Sequence, residues 1–195
     1  MKLWNAALLT LLAGLCLRPA PAAEPVATGN AVTDLTVRDL EGKTVQVGTA
    51  GRLTVVFFVS SVCPISNDYN DRMSALYREY ESKGVQFVFV NSNTNETTRE
   101  IAQHSKAAEF PFPVYQDPGN RLADKLGATV TPEVFILDRE GMLRYKGQID
   151  DARNPARVQV HGVKAAVEDL LSGREVSRKE TKAFGCTIKR AKKAS

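Results

Sequence analysis

Cys63 and Cys186 offer the most chemistry in this 195-residue chain, and their surroundings differ. Cys63 lies in the segment VSSVCPIS (59–66), between an apolar stretch that reads as a buried strand and a proline suited to the first turn of a helix. A thiol placed there faces unpaired backbone N–H groups and the positive end of a helix dipole. Both favour thiolate over thiol and pull the pKa below the free value of about 8.5. The other reading is an inert cysteine buried at a strand end; the order strand, Cys, Pro, helix favours the nucleophile. Cys186 follows in GCTIKR (185–190), where Gly185 permits close approach and Lys182, Lys189 and Arg190 would depress its pKa. Three readings stay open for it: a thiol that resolves a disulfide on Cys63, half of a structural bridge, or an unrelated free thiol. Val176, Phe184 and Ile188 are apolar in an otherwise charged tail. They would pin it across the domain and bring Cys186 within the roughly 7 Å between Cα atoms that a disulfide allows.

The elements that must position these groups follow from hydrophobic spacing. Residues 53–59 are apolar on both faces, as a central strand covered by helices on each side must be. Tyr69, Met73, Leu76, Tyr77 and Tyr80 recur at intervals of three and four, which predicts one helix from Pro64 until Gly84 stops it. A second apolar strand is expected over 85–90, then a helix over 95–108 that Pro111 and Pro113 prevent from continuing. A short strand at 114–116, a helix over 120–126 ended by Gly127, and strands at 134–137 and 142–146 joined by a turn complete the middle of the chain. Val32, Leu35 and Val37, then Val45 and Val47, flank a turn at 39–43 and predict an N-terminal β-hairpin. Val160, Val163, Ala166, Val167, Leu170 and Leu171 mark a last helix ending at Gly173. Strands alternating with helices give an α/β sandwich, a mixed central sheet flanked by helices, over residues 23–173, with a basic tail over 174–195.

With Cys63-Pro64 at a strand-to-helix junction and Thr131-Pro132 just before the strand of TPEVFILD (131–138), the chain resembles the thioredoxin superfamily. That resemblance implies a thioredoxin-like fold and a cis Thr131-Pro132 bond forming the wall opposite the sulfur. A proline there lacks an N–H, and its neighbour's backbone faces the sulfur and can pair with a bound peptide. More closely, residues 31–190 resemble the redoxin family related to alkyl hydroperoxide reductase and thiol-specific antioxidant proteins, in its bacterial peroxiredoxin-like branch. The marks are Cys63-Pro64 with a helix ending YREY (77–80), GVQFVFVNSN (84–93), FPFPVYQD (110–117), TPEVFILD, YKGQIDD (145–151) and GCTIKR.

Two departures from the related families bear on activity. Peroxiredoxins carry a proline seven residues before the peroxidatic cysteine, a Ser or Thr three before it, and an arginine three before the Phe of a later strand. Ser60 keeps the hydroxyl, but Val56 replaces the proline and Pro132 the arginine. Without that cation to stabilise the displacement, weak peroxide turnover is expected. Dithiol thioredoxins carry a second cysteine three residues after the first, where Ser66 stands and cannot attack a mixed disulfide. A resolving thiol must then come from elsewhere, and Cys186 is the candidate.

His104 and His161 read as surface residues of helices. Copper chaperones of thioredoxin fold use CxxxC with a distant histidine, and Asn67 occupies the second cysteine position, leaving that metal site incomplete. A two-ligand copper site of Cys63 with His161 or Cys186 is a minor alternative. No phosphate loop, catalytic carboxylate pair or Ser/His/Asp arrangement is visible, and nothing calls for a cofactor.

The net charge of +4 is unevenly spread. The first 22 residues carry two basic side chains and the last 22 carry eight against two acidic ones, so the body has an excess of four acidic groups. That distribution argues against a nucleic-acid-binding face. Residues 1–22, with Lys2, an apolar run over 6–17 and Ala20-Pro21-Ala22, have the three parts of a cleavable signal peptide. The apolar run is too short for a stable membrane anchor, and its removal takes Cys16 with it. The sequence therefore reads as a secreted or periplasmic thiol–disulfide oxidoreductase acting on protein or small-molecule thiols and disulfides, with an external electron donor. Cys63 is the nucleophile, Cys186 the candidate resolving thiol, and Ser60, Ser66, Thr131 and Pro132 shape the site. The alternatives are an atypical thiol peroxidase and a non-enzymatic thiol or copper carrier.

Overall fold

In chain order the strands are β1 (Leu35–Arg38), β2 (Thr44–Val47) and β3 (Thr54–Val59), followed by helices α1 (Pro64–Asn67) and α2 (Asn70–Tyr80). Next come β4 (Gln86–Asn91), α3 (Thr98–Ala107), β5 (Val114–Gln116), α4 (Arg121–Leu126), β6 (Val130–Thr131), β7 (Glu133–Leu137), β8 (Leu143–Gly147), α5 (Gly162–Leu171) and β9 (Cys186–Thr187). The structure is a computed structural model and describes residues 24–48 and 51–192. The signal peptide expected over 1–22, with Cys16, lies outside the described residues.

Seven strands form one mixed sheet in the order β2-β1-β5-β4-β3-β7-β8. β3 lies parallel to β4 and antiparallel to β7, and all six of its side chains are buried. The alternation of a strand sends Val55, Phe57 and Val59 to one face, where they join Met73 and Tyr80 of α2, Ile101 of α3 and Val163 and Val167 of α5. Val56 and Phe58 go to the other face and meet Leu122 and Leu126 of α4 and Leu35 and Val37 of the hairpin. The sheet is thus covered on both sides, as its unbroken apolar run requires, and its centre holds the strand that delivers Cys63. Truncating Phe57 or Phe58, both fully buried, would cost about 3–5 kcal/mol.

The N-terminal hairpin and the α/β alternation form as expected, with differences at helix starts. The single helix expected from Pro64 to Gly84 is two: α1 is one turn, and the chain breaks at Asp68 and Tyr69 before α2 begins. The helix expected over 95–108 starts at Thr98, because Thr97 caps it by accepting the Glu100 N–H while the Glu100 carboxylate accepts the Thr97 N–H. Asn120 takes a left-handed φ of 58° and donates its side-chain amide to the Ser92 carbonyl, so α4 starts one residue later than expected, at Arg121. β6 and β9 pair as a separate two-stranded ribbon that the periodicity does not predict.

After α5 the chain crosses the molecule. Residues 179–181 run along the edge of β8, exchanging backbone bonds with Lys146. Val176 is buried in the core beneath α5, and Phe184 packs edge-on against Tyr69. Ile188 is buried on the opposite face with α4. These three apolar residues hold the tail across the end of the sheet where Cys63 lies.

Candidate redox site

Cys63 follows β3 after Ser60, Ser61 and Val62, and caps α1 with its own sulfur: Ser66 N–H points at Cys63 Sγ at 3.4 Å. The loop before it is held from within. Ser60 Oγ accepts the Cys63 N–H at 3.0 Å and the Val62 N–H at 3.3 Å, and it donates to Glu96 Oε1 at 2.6 Å. Ser66 is fully buried, and its hydroxyl accepts the Ser60 N–H at 3.2 Å. Asn67 donates to the Ser61 carbonyl at 3.1 Å, so in this chain it ties the loop. Because α1 is a single turn, the long helix dipole expected behind Cys63 is absent. What faces the sulfur is the local Ser66 N–H.

Glu96 is the residue that sequence reading missed. It stands in a polar loop, yet it is buried at 5% exposure and gathers donors from Ser60, Ser61 and Asn91. Asn91 donates to it at 2.8 Å and the Ser61 N–H at 2.7 Å. A buried carboxylate satisfied in this way fixes the loop rigidly, because each donor would otherwise be left unpaired. The nearest sequence signal was the capping threonine beside it, which points to a helix start and says nothing of the loop behind it.

The opposite wall is Thr131-Pro132, and its peptide bond is cis. The Thr131 carbonyl oxygen lies 3.4 Å from Cys63 Sγ and would accept a hydrogen bond from the reduced thiol. Glu133, at the start of β7, accepts the N–H groups of Thr129 at 2.7 Å and Val130 at 3.2 Å, which holds the turn leading into this wall.

Cys186 is bridged to Cys63 by a disulfide whose Cα atoms are 6.0 Å apart, across 123 residues of sequence. By chain-entropy reasoning, closing so long a loop is worth about 4–5 kcal/mol. β9 runs antiparallel to β6, with Cys186 opposite Thr131 and Thr187 opposite Val130. Cys63 is 3% exposed under this strap, while Val62 beside it is 57% exposed and forms an apolar rim of the site. Of the site residues read from sequence, Cys63, Cys186, Ser60, Ser66 and Thr131-Pro132 all converge here. The reading of Cys186 as an unrelated free thiol does not fit the bridge.

The histidines lie elsewhere. His104 departs from the exposed position expected of it: it is half-buried against the Phe110 ring and accepts the Asn70 side-chain N–H at 3.4 Å. His161 stays largely exposed, its Nδ1 3.0 Å from Asp150 Oδ1. Among the described residues no cluster of three or more His, Cys, Asp or Glu is placed to hold a metal, and no helix is long and apolar enough to cross a membrane.

Comparison with known proteins agrees with this geometry. The chain is 25% identical over 119 residues to the thiol-disulfide oxidoreductase ResA of Bacillus cereus, covering 60% of this chain and 68% of that protein. It is 30% identical over 133 residues to a phospholipid hydroperoxide glutathione peroxidase of Citrus sinensis, covering 56% of this chain and 80% of that one. An uncharacterized conserved protein from Geobacillus kaustophilus superposes with a TM-score of 0.78 at 27% identity, over 87% of this chain and 94% of the other. At 21% identity a DsbE-type thiol:disulfide interchange protein from Chlorobium tepidum superposes with a TM-score of 0.60, over 76% and 97% of the two chains, and shows the shared thioredoxin-like fold. The AhpC/TSA family profile matches residues 28–146, spanning β1 to β8, and the chain belongs to that family.

Proposed function

We propose that the protein is a thiol–disulfide oxidoreductase in which Cys63 and Cys186 form the reversible redox pair. The observation that carries this reading is the Cys63–Cys186 disulfide at the end of β3, against the Thr131 backbone. The name of the Bacillus cereus relative supports it. In the reduced protein the Cys63 thiolate attacks one sulfur of a partner disulfide, RSSR. A Cys63–S–S–R bond forms and RS⁻ leaves, taking a proton from solvent. Cys186 thiolate then attacks Cys63 Sγ, the internal disulfide closes, and the second RS⁻ departs. The dithiol has lost two electrons and two protons, and the partner has become two thiols. An external thiol reductant returns the pair by the reverse steps.

The partners are protein or small-molecule thiols and disulfides. Export directed by residues 1–22 would put the protein in the periplasm or outside the cell, where such a disulfide persists. The division into a domain over 23–173 and a basic tail over 174–195 belongs to the same proposal, with the tail serving as the carrier of the second sulfur.

The test is a glutathione redox titration of the purified protein, followed by mass spectrometry. The expected result is a reversible two-electron transition confined to a 63–186 link, with Cys186→Ser accumulating a glutathione adduct on Cys63. A Cys186→Ser protein with no adduct on Cys63 would overturn the reading. Peroxide oxidation of reduced Cys63, followed by stopped flow, should be slow, because Pro132 and Val56 stand where a peroxidase site would need an arginine and a proline.

A further inference from the structure

Beyond the two cysteines, the structure ties their two segments together through one polar cluster, buried at Glu96 and Asn91 and reaching the surface at Asn93, Thr94 and Lys189. On the Cys63 side, Glu96 receives Ser60 Oγ at 2.6 Å and the Ser61 N–H at 2.7 Å. Glu96 Oε2 also receives Asn91 Nδ2 at 2.8 Å, and Asn91 Oδ1 accepts the Asn93 N–H at 2.9 Å. On the Cys186 side, Asn93 Oδ1 accepts the Lys189 N–H at 2.9 Å, and the Lys189 carbonyl accepts the Thr94 N–H at 2.9 Å and Thr94 Oγ1 at 3.1 Å. Lys189 stands three residues beyond Cys186. A continuous path of hydrogen bonds therefore runs from the loop bearing one sulfur to the strap bearing the other.

The strap needs such a fixing point. Its pairing with β6 is two residues long, too short to hold register alone, and a slip of one residue would turn the Cys186 side chain to the other face. The apolar contacts of Phe184 and Ile188 hold the strap down but are non-directional. Directional bonds come from the Ile188 N–H to the Thr129 carbonyl at 2.9 Å, from the Ala191 N–H to Asn120 Oδ1 at 2.8 Å, and from the three bonds to Lys189, which alone join the strap to the cluster that holds the Cys63 loop.

We propose that Asn93, assisted by Thr94, is a positioning residue for the redox pair. It docks the Cys186 strap onto the same cluster that holds the Cys63 loop, and so sets how strongly Cys63 prefers Cys186 over an external thiol. This rests on the reversible exchange proposed above. The step affected is attack of Cys186 thiolate on a Cys63–S–S–R bond, which forms the internal disulfide and releases RS⁻. Asn93 touches neither sulfur and acts through the position of the strap.

The experiment is a glutathione redox titration of the wild type, Asn93→Ala, Thr94→Val and, as a control, Asn95→Ala, an exposed position of the same loop. Asn93→Ala should lower the equilibrium constant for the internal disulfide about tenfold, which is about 30 mV toward a more oxidising couple. It should also raise the share of glutathione adduct on Cys63 at the midpoint. Thr94→Val, which loses one hydroxyl bond and keeps the backbone bond, should shift it about threefold in the same direction, and Asn95→Ala should match the wild type. If Asn93→Ala fails to fold, Thr94→Val decides. An Asn93→Ala or Thr94→Val constant within a factor of about 1.5 of the wild type would overturn the inference. A wild type with no reversible transition would instead sink the proposed function itself.

Discussion

Gly185 lies so close to Thr131 that a Cβ built on it would overlap the Thr131 carbonyl oxygen and come 2.6 Å from its carbonyl carbon. The obstacle is backbone at the wall of the site, so no side chain can swing aside to relieve it. The residue before Cys186 is thus glycine because the strap must touch the wall for the sulfurs to meet.

Gly185→Ala should therefore lift the strap off β6. An overpacked contact of this kind costs about 1–3 kcal/mol. The expected outcome is faster reduction of the 63–186 disulfide by dithiothreitol and a larger share of mixed disulfide in glutathione buffer, with the sheet core intact by circular dichroism. Reduction kinetics equal to the wild type would mean that the strap does not rest on Thr131 in solution.

Glu96→Gln tests the buried carboxylate. Its oxygens take donors from Ser60, Ser61 and Asn91, and an amide would turn N–H groups toward some of those donors. Leaving buried donors unpaired costs about 1–3 kcal/mol each, so a loss of about 2–4 kcal/mol is expected in urea denaturation. The Ser60 bond that holds the Cys63 N–H should loosen with it, slowing alkylation of reduced Cys63. A stable Glu96→Gln protein with unchanged alkylation would show that the loop is held by other means.

Much of this arrangement was legible in the residues, for reasons that differ from element to element. β3 announces itself because a strand buried on both faces needs an unbroken apolar run, and 55–59 supplies one. The tail's path was readable because Val176, Phe184 and Ile188 have no use in a solvated segment, and all three pack against the core. The break between α1 and α2 was not readable: Asp68 and Tyr69 carry no breaker signal, and Ile65 of α1 stands four residues before Tyr69, in phase with the stripe that Met73 and Tyr80 continue. β6 and β9 are two residues each, below the length at which any alternation can be seen. Glu96 was hidden for a chemical reason: a glutamate in NSNTNE resembles any solvated loop acid until the chain folds Ser60, Ser61 and Asn91 around it.

His104 provides the pH dependence. Burial holds its pKa below the ordinary 6.5, with the charge of Glu96 opposing that shift. The hydrogen bond acts with burial. The Asn70 side-chain nitrogen can only donate, so His104 Nε2 must accept, which a protonated ring cannot do. The folded protein therefore resists protonation that the unfolded chain accepts. As pH falls through about 6.5 the unfolded state takes up the proton first, and stability declines until the pH passes below the folded-state value. His104→Gln removes this titration. Urea denaturation from about pH 7.5 down to about pH 5, which brackets the ordinary histidine value, should show a steeper loss on acidification for the wild type than for His104→Gln. The two curves should run parallel above about pH 7.5, where the histidine is uncharged in both the folded and the unfolded chain. Parallel curves across the whole range would mean that His104 is as free to take a proton in the folded protein as in the unfolded chain, and that the Asn70 contact between α2 and α3 does not constrain its ring.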